Sequence, residues 1–173
     1  MPTLHVESGL LSIWQGFSLE ILSPLVFEQG CIYHLSGPNG SGKSSFIKQI
    51  LLPRLSQNPD IYLLYIEQQM HLQLQVVKAY ARMFGPHIAV NTESEAVRYL
   101  LADLSRVWQS EGRPCYILMD ESRLEEDVIA FTRTMADSVC LIYTSHSGVQ
   151  TSESTVIFEP QTTSLSRVYG RDS

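Results

Sequence analysis

The chain has 173 residues, 44% of them hydrophobic and 17% charged, with a formal net charge of −6. That length suits one domain with its own core, without disulfides or structural metals. The acidic balance excludes an overall basic field that would recruit nucleic acid or anionic lipid.

Taken in chain order, two short β-like runs come first, Leu4–Val6 and Leu19–Leu22, and predict an opening antiparallel layer. The start, MPTLHVESG, has neither the basic nor the apolar region of a secretory signal. Gly30 breaks the chain before CIYHLS (Cys31 to Ser36), an apolar run that ends in a glycine-rich loop. Phe46, Ile47, Ile50 and Leu51 then recur at helical spacing, and Pro53 is expected to end that helix. Ile61 to Glu67 reads as a strand, and Leu74 to Phe84 as a helix stopped by Gly85-Pro86. Thr92 and Glu95 have capping-box spacing and open a helix with an apolar face of Val97, Leu100, Leu101, Leu104 and Trp108. Gly112 and Pro114 close it. YILMDE (Tyr116 to Glu121) is an apolar strand tipped by two acids, and VCLIYTSH (Val139 to His146) is another tipped by a histidine. Thr155 to Glu159 is a last strand before a polar tail. No repeat, heptad run or low-complexity linker is visible, so residues 1–173 read as a single domain.

No apolar run approaches the ~20 residues needed to cross a bilayer, so any membrane role is expected to come through a partner. Cys31, Cys115 and Cys140 are far apart, show no C-x-x-C spacing and lie in apolar runs, which predicts buried thiols and a reducing cytosol.

Strands alternating with helices, each strand apolar on both faces, predict an α/β fold with a mostly parallel sheet covered by helices. Ligands of such sheets sit beyond the C-terminal strand ends. The glycine-rich loop, Asp120-Glu121 and His146 all emerge there. SGPNGSGKSS, Ser36 to Ser45, contains G-x-x-x-x-G-K-S from Gly37 to Ser44, the P-loop spacing. Gly37, Gly40 and Gly42 let the backbone curl around a phosphate, and the following helix points its positive end at it. Lys43 is placed to bridge the β- and γ-phosphates, and Ser44 to put its hydroxyl on Mg²⁺. Asp120 suits a Mg²⁺ ligand acting directly or through water, and Glu121 a group that polarises the attacking water. The alternative for the acids is a solvated turn. His146 is placed to touch a γ-phosphate or to be structural; His5, His34, His71 and His87 receive no role.

These motifs, in this order, resemble the ATP-binding cassette (ABC) family over most of the chain. GPNGSGKSS is a form of the P-loop typical of that family, and Gly30 resembles the glycine that precedes its P-loop strand. The resemblance implies ATP and Mg²⁺ as ligands. Its nucleotide-binding residues would be Trp14, stacked on adenine, with Gly37, Asn39, Gly40, Ser41, Gly42, Lys43, Ser44 and Ser45. YIEQ (Tyr65 to Gln68) resembles the strand into the glutamine loop, with Gln68 or Gln69 as its glutamine. The implied metal set is Ser44, Gln68 and Asp120, and the implied catalytic set is Glu121, Gln68 and the switch-like His146. Asp127 falls where the family has an aspartate of its D-loop, although the neighbouring residues do not fit.

The resemblance also breaks in places. The family's LSGGQ signature is absent, and its place falls at Asn91 to Ala96, where Glu93 and Glu95 would repel a phosphate and no glycine permits close approach. An ordinary capped helix is the simpler reading of that segment. Ser122 stands where proline usually follows the catalytic glutamate, and short intervals on both sides of Gln68 imply a reduced helical subdomain.

The expected fold is therefore a P-loop NTPase: a mostly parallel sheet flanked by helices, with an N-terminal antiparallel β layer and that reduced subdomain. The expected function is the ATP-binding, ATP-hydrolysing subunit of an ABC-type system energising a separate membrane permease. It would be cytoplasmic, held at the inner membrane face through that permease, and paired with a like or unlike ABC-type ATPase subunit. The alternatives are a regulatory ATP-binding module with negligible hydrolysis, or a non-transport ABC-like ATPase. A direct nucleic-acid partner is not expected.

Overall fold

The structure is a computed structural model, and residues 3–84, 89–145 and 154–171 are described. Strands β1 (Leu4–Val6) and β4 (Leu25–Phe27) pair antiparallel as a separate two-stranded sheet. The main sheet is built from β2 (Gly9–Trp14), β3 (Phe17–Ile21), β5 (Ile32–Ser36), β6 (Tyr62–Ile66), β7 (Cys115–Met119), β8 (Val139–Thr144), β9 (Ser154–Thr162) and β10 (Leu165–Arg171). Its eight strands run in the order β2-β3-β10-β9-β5-β8-β7-β6. From β9 to β6 every pairing is parallel, and the antiparallel pairs are β9 with β10 and β2 with β3. This is a mixed α/β sheet with mostly parallel strands, compatible with a P-loop NTPase fold.

The N-terminal strands do pair antiparallel, β1 with β4 and β2 with β3. The β2–β3 hairpin is not a layer apart: β10 pairs parallel with β3 and antiparallel with β9, stitching the hairpin onto the main sheet. The stretch expected to be a polar tail is that stitch. Its pattern is strand-like only by position, since Ser166 and Val168 are buried while Arg167 points outward to an ion pair with Glu20 at 3.0 Å. Leu165, Val168 and Tyr169 do not alternate with polar residues, so the segment gives no period-2 hydrophobic signal.

Residues alternate between two cores. On one face, Tyr33 and Leu35 of β5, Tyr116 and Leu118 of β7, and Cys140 and Ile142 of β8 pack under Phe46, Ile47, Leu51 and Leu55. Those four come from a helical segment that starts directly after the glycine-rich loop: α1 (Lys43–Ser45), a π-helical stretch (Phe46–Leu51) and α2 (Leu52–Ser56). Pro53 does not end it, contrary to expectation. It lies in the first turn of α2, where a missing N–H costs little.

On the other face, Cys115, Ile117 and Met119 of β7 and Val139, Leu141 and Tyr143 of β8 pack under α3 (Met70–Phe84), α4 (Glu93–Glu111) and α5 (Glu125–Thr134). Helix α3 starts four residues before the expected Leu74, because the buried Met70 already anchors its first turn. The expected stop at Gly85-Pro86 lies outside the described residues. Helix α4 matches its sequence signals: Thr92 is its N-cap, and Gly112 closes it at φ 64°. Helix α5 was not anticipated, although Glu125, Glu126 and Asp127 in its first turn complement the helix dipole.

The strand order explains the position of the site. After β5 the chain runs to the far edge at β6 and returns through β7 and β8, while β9 lies on the other side of β5. The order reverses at β5, and in such sheets ligands sit at that reversal, beyond the C-terminal strand ends.

Candidate functional site

Local sterics require the glycines of the loop in different ways. A Cβ at Gly37 would lie 2.6 Å from the Phe158 carbonyl oxygen and 2.8 Å from Ser41 Oγ, so only glycine fits beneath the loop. Gly42 has φ 99°, and a Cβ there would meet Leu19 and Phe17 at 2.9 Å. The loop is thus clamped between β9 and the β3 hairpin. Asn39 and Gly40 are exposed at its tip. Ser41 is fully buried, its amide donates to the Pro38 carbonyl at 3.2 Å, and its hydroxyl finds no hydrogen-bond partner among the described residues. The Ser41 side chain therefore faces inward beneath the loop. The Lys43 ammonium folds across the loop and donates to the Gly37 carbonyl. Ser44 and Ser45 are half-buried in α1.

Ser44 starts a chain of hydrogen bonds that links α1, β8 and the loops after β7 and β6. Its hydroxyl donates to Asp120 Oδ1 at 2.9 Å, and the Thr144 hydroxyl donates to the same oxygen at 3.1 Å. The Glu121 amide donates to Thr144 Oγ1 at 2.9 Å, and Gln68 Nε2 donates to Glu121 Oε2 at 2.9 Å. Asp120 is fully buried, and its amide is bonded to the Ile66 carbonyl at 3.0 Å. Glu121 has φ 46°, a left-handed conformation rare for a residue with a Cβ. That twist turns its side chain from the sheet edge toward Gln68. The sequence placed Ser44, Gln68, Asp120 and Glu121 here, and the structure brings all four together. It missed Thr144, whose signal is its register: it is the last residue of β8, beside the strand that carries Asp120.

The Gln69 carbonyl accepts from the Leu72 amide at 3.1 Å, at the start of α3. Both glutamines line a cavity of about 400 Å³ with His71, Glu93, Glu121 and Arg123. His146 lies outside the described residues. Trp14 is half-exposed and stacks on Phe17 with ring centroids 4.7 Å apart, and the Phe17 ring fills the space that a Cβ at Gly42 would need. One face of the indole is thus backed and held near the loop. Asp127 is exposed in the first turn of α5.

The segment at the place of a signature motif is a closed cap. Thr92 Oγ1 accepts from the Glu95 amide at 3.2 Å, and Glu95 Oε2 accepts from the Asn91 amide at 2.7 Å.

The donor set suits a hard cation. Asp120 Oδ2 is buried and has no hydrogen-bond partner among the described residues, and Ser44 Oγ adjoins the same carboxylate. No cluster of three His, Cys, Asp or Glu that could hold a metal occurs among the described residues. One buried carboxylate beside a serine hydroxyl fits Mg²⁺, which is commonly held by one or two carboxylates with phosphate oxygens and water.

No protein-family model and no curated protein matches the chain. Among solved structures it is similar to C. elegans PCH-2, with 18% identity, TM-score 0.40, and 70% of this chain and 31% of that one covered. It is also similar to Drosophila ORC bound to DNA, with 15% identity, TM-score 0.42, and 69% and 34% covered. Neither likeness speaks for the ABC family in particular. The chain spans about a third of the length of each. Likenesses this slight carry no argument about function, so the reading rests on the chain's own geometry.

Proposed function

We propose that this chain binds Mg·ATP in the loop from Gly37 to Ser44 and hydrolyses it as a subunit of an ABC-type system. The observation that carries the reading is the hydrogen-bonded series Ser44–Asp120–Thr144–Glu121–Gln68 at the reversal point of the sheet. Structure alone does not require a serine hydroxyl, a buried carboxylate and a twisted glutamate to meet beside a glycine-rich loop. Phosphoryl transfer gives each of them a task.

In this reading the loop amides and Lys43 hold the phosphates. Lys43 offsets negative charge on the phosphoryl group as it transfers. Ser44 and Asp120 hold Mg²⁺, which when bound neutralises charge on the β- and γ-phosphate oxygens. Glu121 orients the attacking water and takes its proton, with Gln68 fixing the carboxylate. Trp14 offers its free face to adenine, a contact of ~1–3 kcal/mol by analogy with base stacking. His146 is proposed to sense the γ-phosphate.

The capped start of α4 gives the reading a second part. Thr92 and Glu95 satisfy that helix end themselves, so the half-site that completes a neighbour's nucleotide is expected to come from a different subunit. Helix α3 leaves Leu72, Val76, Tyr80 and Met83 exposed on one stripe. The reading assigns that stripe to a partner, the proposed separate membrane subunit; among the described residues no helix is long and apolar enough to cross a membrane. The same cap favours one competing reading, a regulatory module that holds ATP without turning it over.

The test is hydrolysis by the purified chain across a concentration series, beside binding of Mg·ATP to wild type and Lys43→Ala. The expected result is tight binding that Lys43→Ala abolishes, with any turnover lowered ~10²–10⁴-fold by Glu121→Gln. Lys43-dependent binding with no turnover at any concentration or with any partner favours the regulatory module. Binding that ignores Lys43→Ala overturns the nucleotide site.

A further inference from the structure

Besides Ser41 Oγ, two buried side-chain oxygens near the site lack a hydrogen-bond partner among the described residues: Asp120 Oδ2 and the Tyr65 hydroxyl. They are neighbours by register. Tyr65 of β6 pairs with Leu118 of β7 in a parallel ladder. Side chains alternate along a strand, so Asp120, two residues beyond Leu118, projects from the same face as Tyr65. Packing agrees, because Leu63 and Tyr65 of β6 and Tyr116 and Leu118 of β7 all belong to the core beneath the P-loop helix. The Asp120 carboxylate also acts electrostatically on the Tyr65 phenol, as a near neighbour does.

The two oxygens are also chemically matched. Burial first, and the Asp120 and Glu67 carboxylates after it, push the Tyr65 phenol well above its ordinary range, so it stays neutral at any physiological pH. Asp120 Oδ1 already accepts from Ser44 and Thr144, leaving Oδ2 as the acceptor still to be filled. Buried polar atoms are normally hydrogen-bonded, so two unpaired ones together at a carboxylate that suits a cation call for an explanation. Water on a metal has one lone pair committed to the cation and two protons to give. Asp120 Oδ2 and Tyr65 Oη are two acceptors for those protons.

We propose that Tyr65 is a positioning residue for hydrated Mg²⁺, and that with Asp120 Oδ2 it accepts from one water of the cation's shell. The inference rests on the Mg·ATP reading above and deepens it. Mg²⁺ retains several of its waters when bound, so acceptors for those waters fix the cation as direct ligands do. Tyr65 touches neither nucleotide nor reacting atoms.

The experiment is titration of ATP into the full chain, wild type and Tyr65→Phe, once with excess Mg²⁺ and once with EDTA. The expected result is about ten-fold weaker binding of Mg·ATP by Tyr65→Phe, with the affinity in EDTA unchanged. An equal loss in both conditions means a merely structural tyrosine and overturns the proposal; no loss in either also overturns it. If the variant does not fold, fluorotyrosine at position 65 of the otherwise unaltered chain replaces it. Mn²⁺·ATP is then expected to broaden that ¹⁹F resonance strongly, and a sharp line overturns the proposal. Lys43→Ala separates the two failures. Wild-type binding that requires Lys43, beside a Tyr65→Phe indistinguishable from wild type, removes Tyr65 alone. A wild type that binds no ATP removes the nucleotide site and this inference with it.

Discussion

Glu121 sits at φ 46°, where a Cβ crowds the backbone at a cost of roughly 1–2 kcal/mol. The twist persists because its amide is fixed to Thr144 Oγ1 and its carboxylate to Gln68. A residue held in strain by two hydrogen bonds, at the mouth of a crevice, is organised for a role other than stability. Removing the side chain in two ways separates strain from chemistry. Glu121→Gly relieves the backbone, whereas Glu121→Ala keeps the Cβ, so the glycine variant is expected to be more stable than the alanine one by about 1 kcal/mol in urea unfolding. Both are expected to lose hydrolysis to the same degree. An alanine variant as stable as the glycine one would mean that the loop relaxes out of the left-handed region, and Glu121 would lose its fixed aim.

The glycine-rich loop, the strands on either side of the site and the cap of α4 were legible in the sequence because each has a local cause. A loop spacing, an apolar run or a Thr-x-x-Glu box is complete within a few residues. Strand β10 was not legible, since its place follows from pairing with β3 and β9, far away in the chain. Thr144 was missed for the same reason: one hydroxyl at a strand end carries no signal until register puts it beside Asp120. The π-helical stretch explains why Pro53 misled, because the helix rewinds as α2 just before the proline. The cap itself can be tested at this scale. If Asn91 to Ala96 is only the closed start of α4, Thr92→Ala is expected to cost about 1 kcal/mol of stability and to leave turnover per folded chain unchanged. A variant of full stability with lost turnover would make the segment a working substitute for the missing signature.

The two cores share one sheet, and the buried acids of that sheet set how the whole molecule meets alkaline solution. Cys115 is fully buried in β7, and burial pushes its thiol from 9.0 up to about 11. Cys140 in β8 is raised well above its ordinary value by the same cause, with Cys31 adding to it. The Tyr33, Tyr62 and Tyr65 phenols are raised too, chiefly by burial. Below pH 9 both folded and unfolded chains keep the Cys115 proton, and stability does not depend on it. Between pH 9 and about 11 the unfolded chain gives up the proton while the folded chain retains it, so ionisation favours unfolding and stability falls. Above about 11 both states are ionised and this contribution levels off, with up to about 2–3 kcal/mol lost through Cys115. The tyrosines carry the decline to higher pH, because their unfolded values lie near 10 and their folded values above that. The urea midpoint is therefore expected to hold below pH 9 and to drop steadily from there. Cys115→Ala is expected to be less stable at neutral pH, since it leaves a small cavity, but to show a shallower drop between pH 9 and 11. A slope unchanged by that substitution would mean that the β7 thiol ionises in the folded chain as readily as in the unfolded one. The core on the α3–α4–α5 face would then admit water to the strand that carries Asp120.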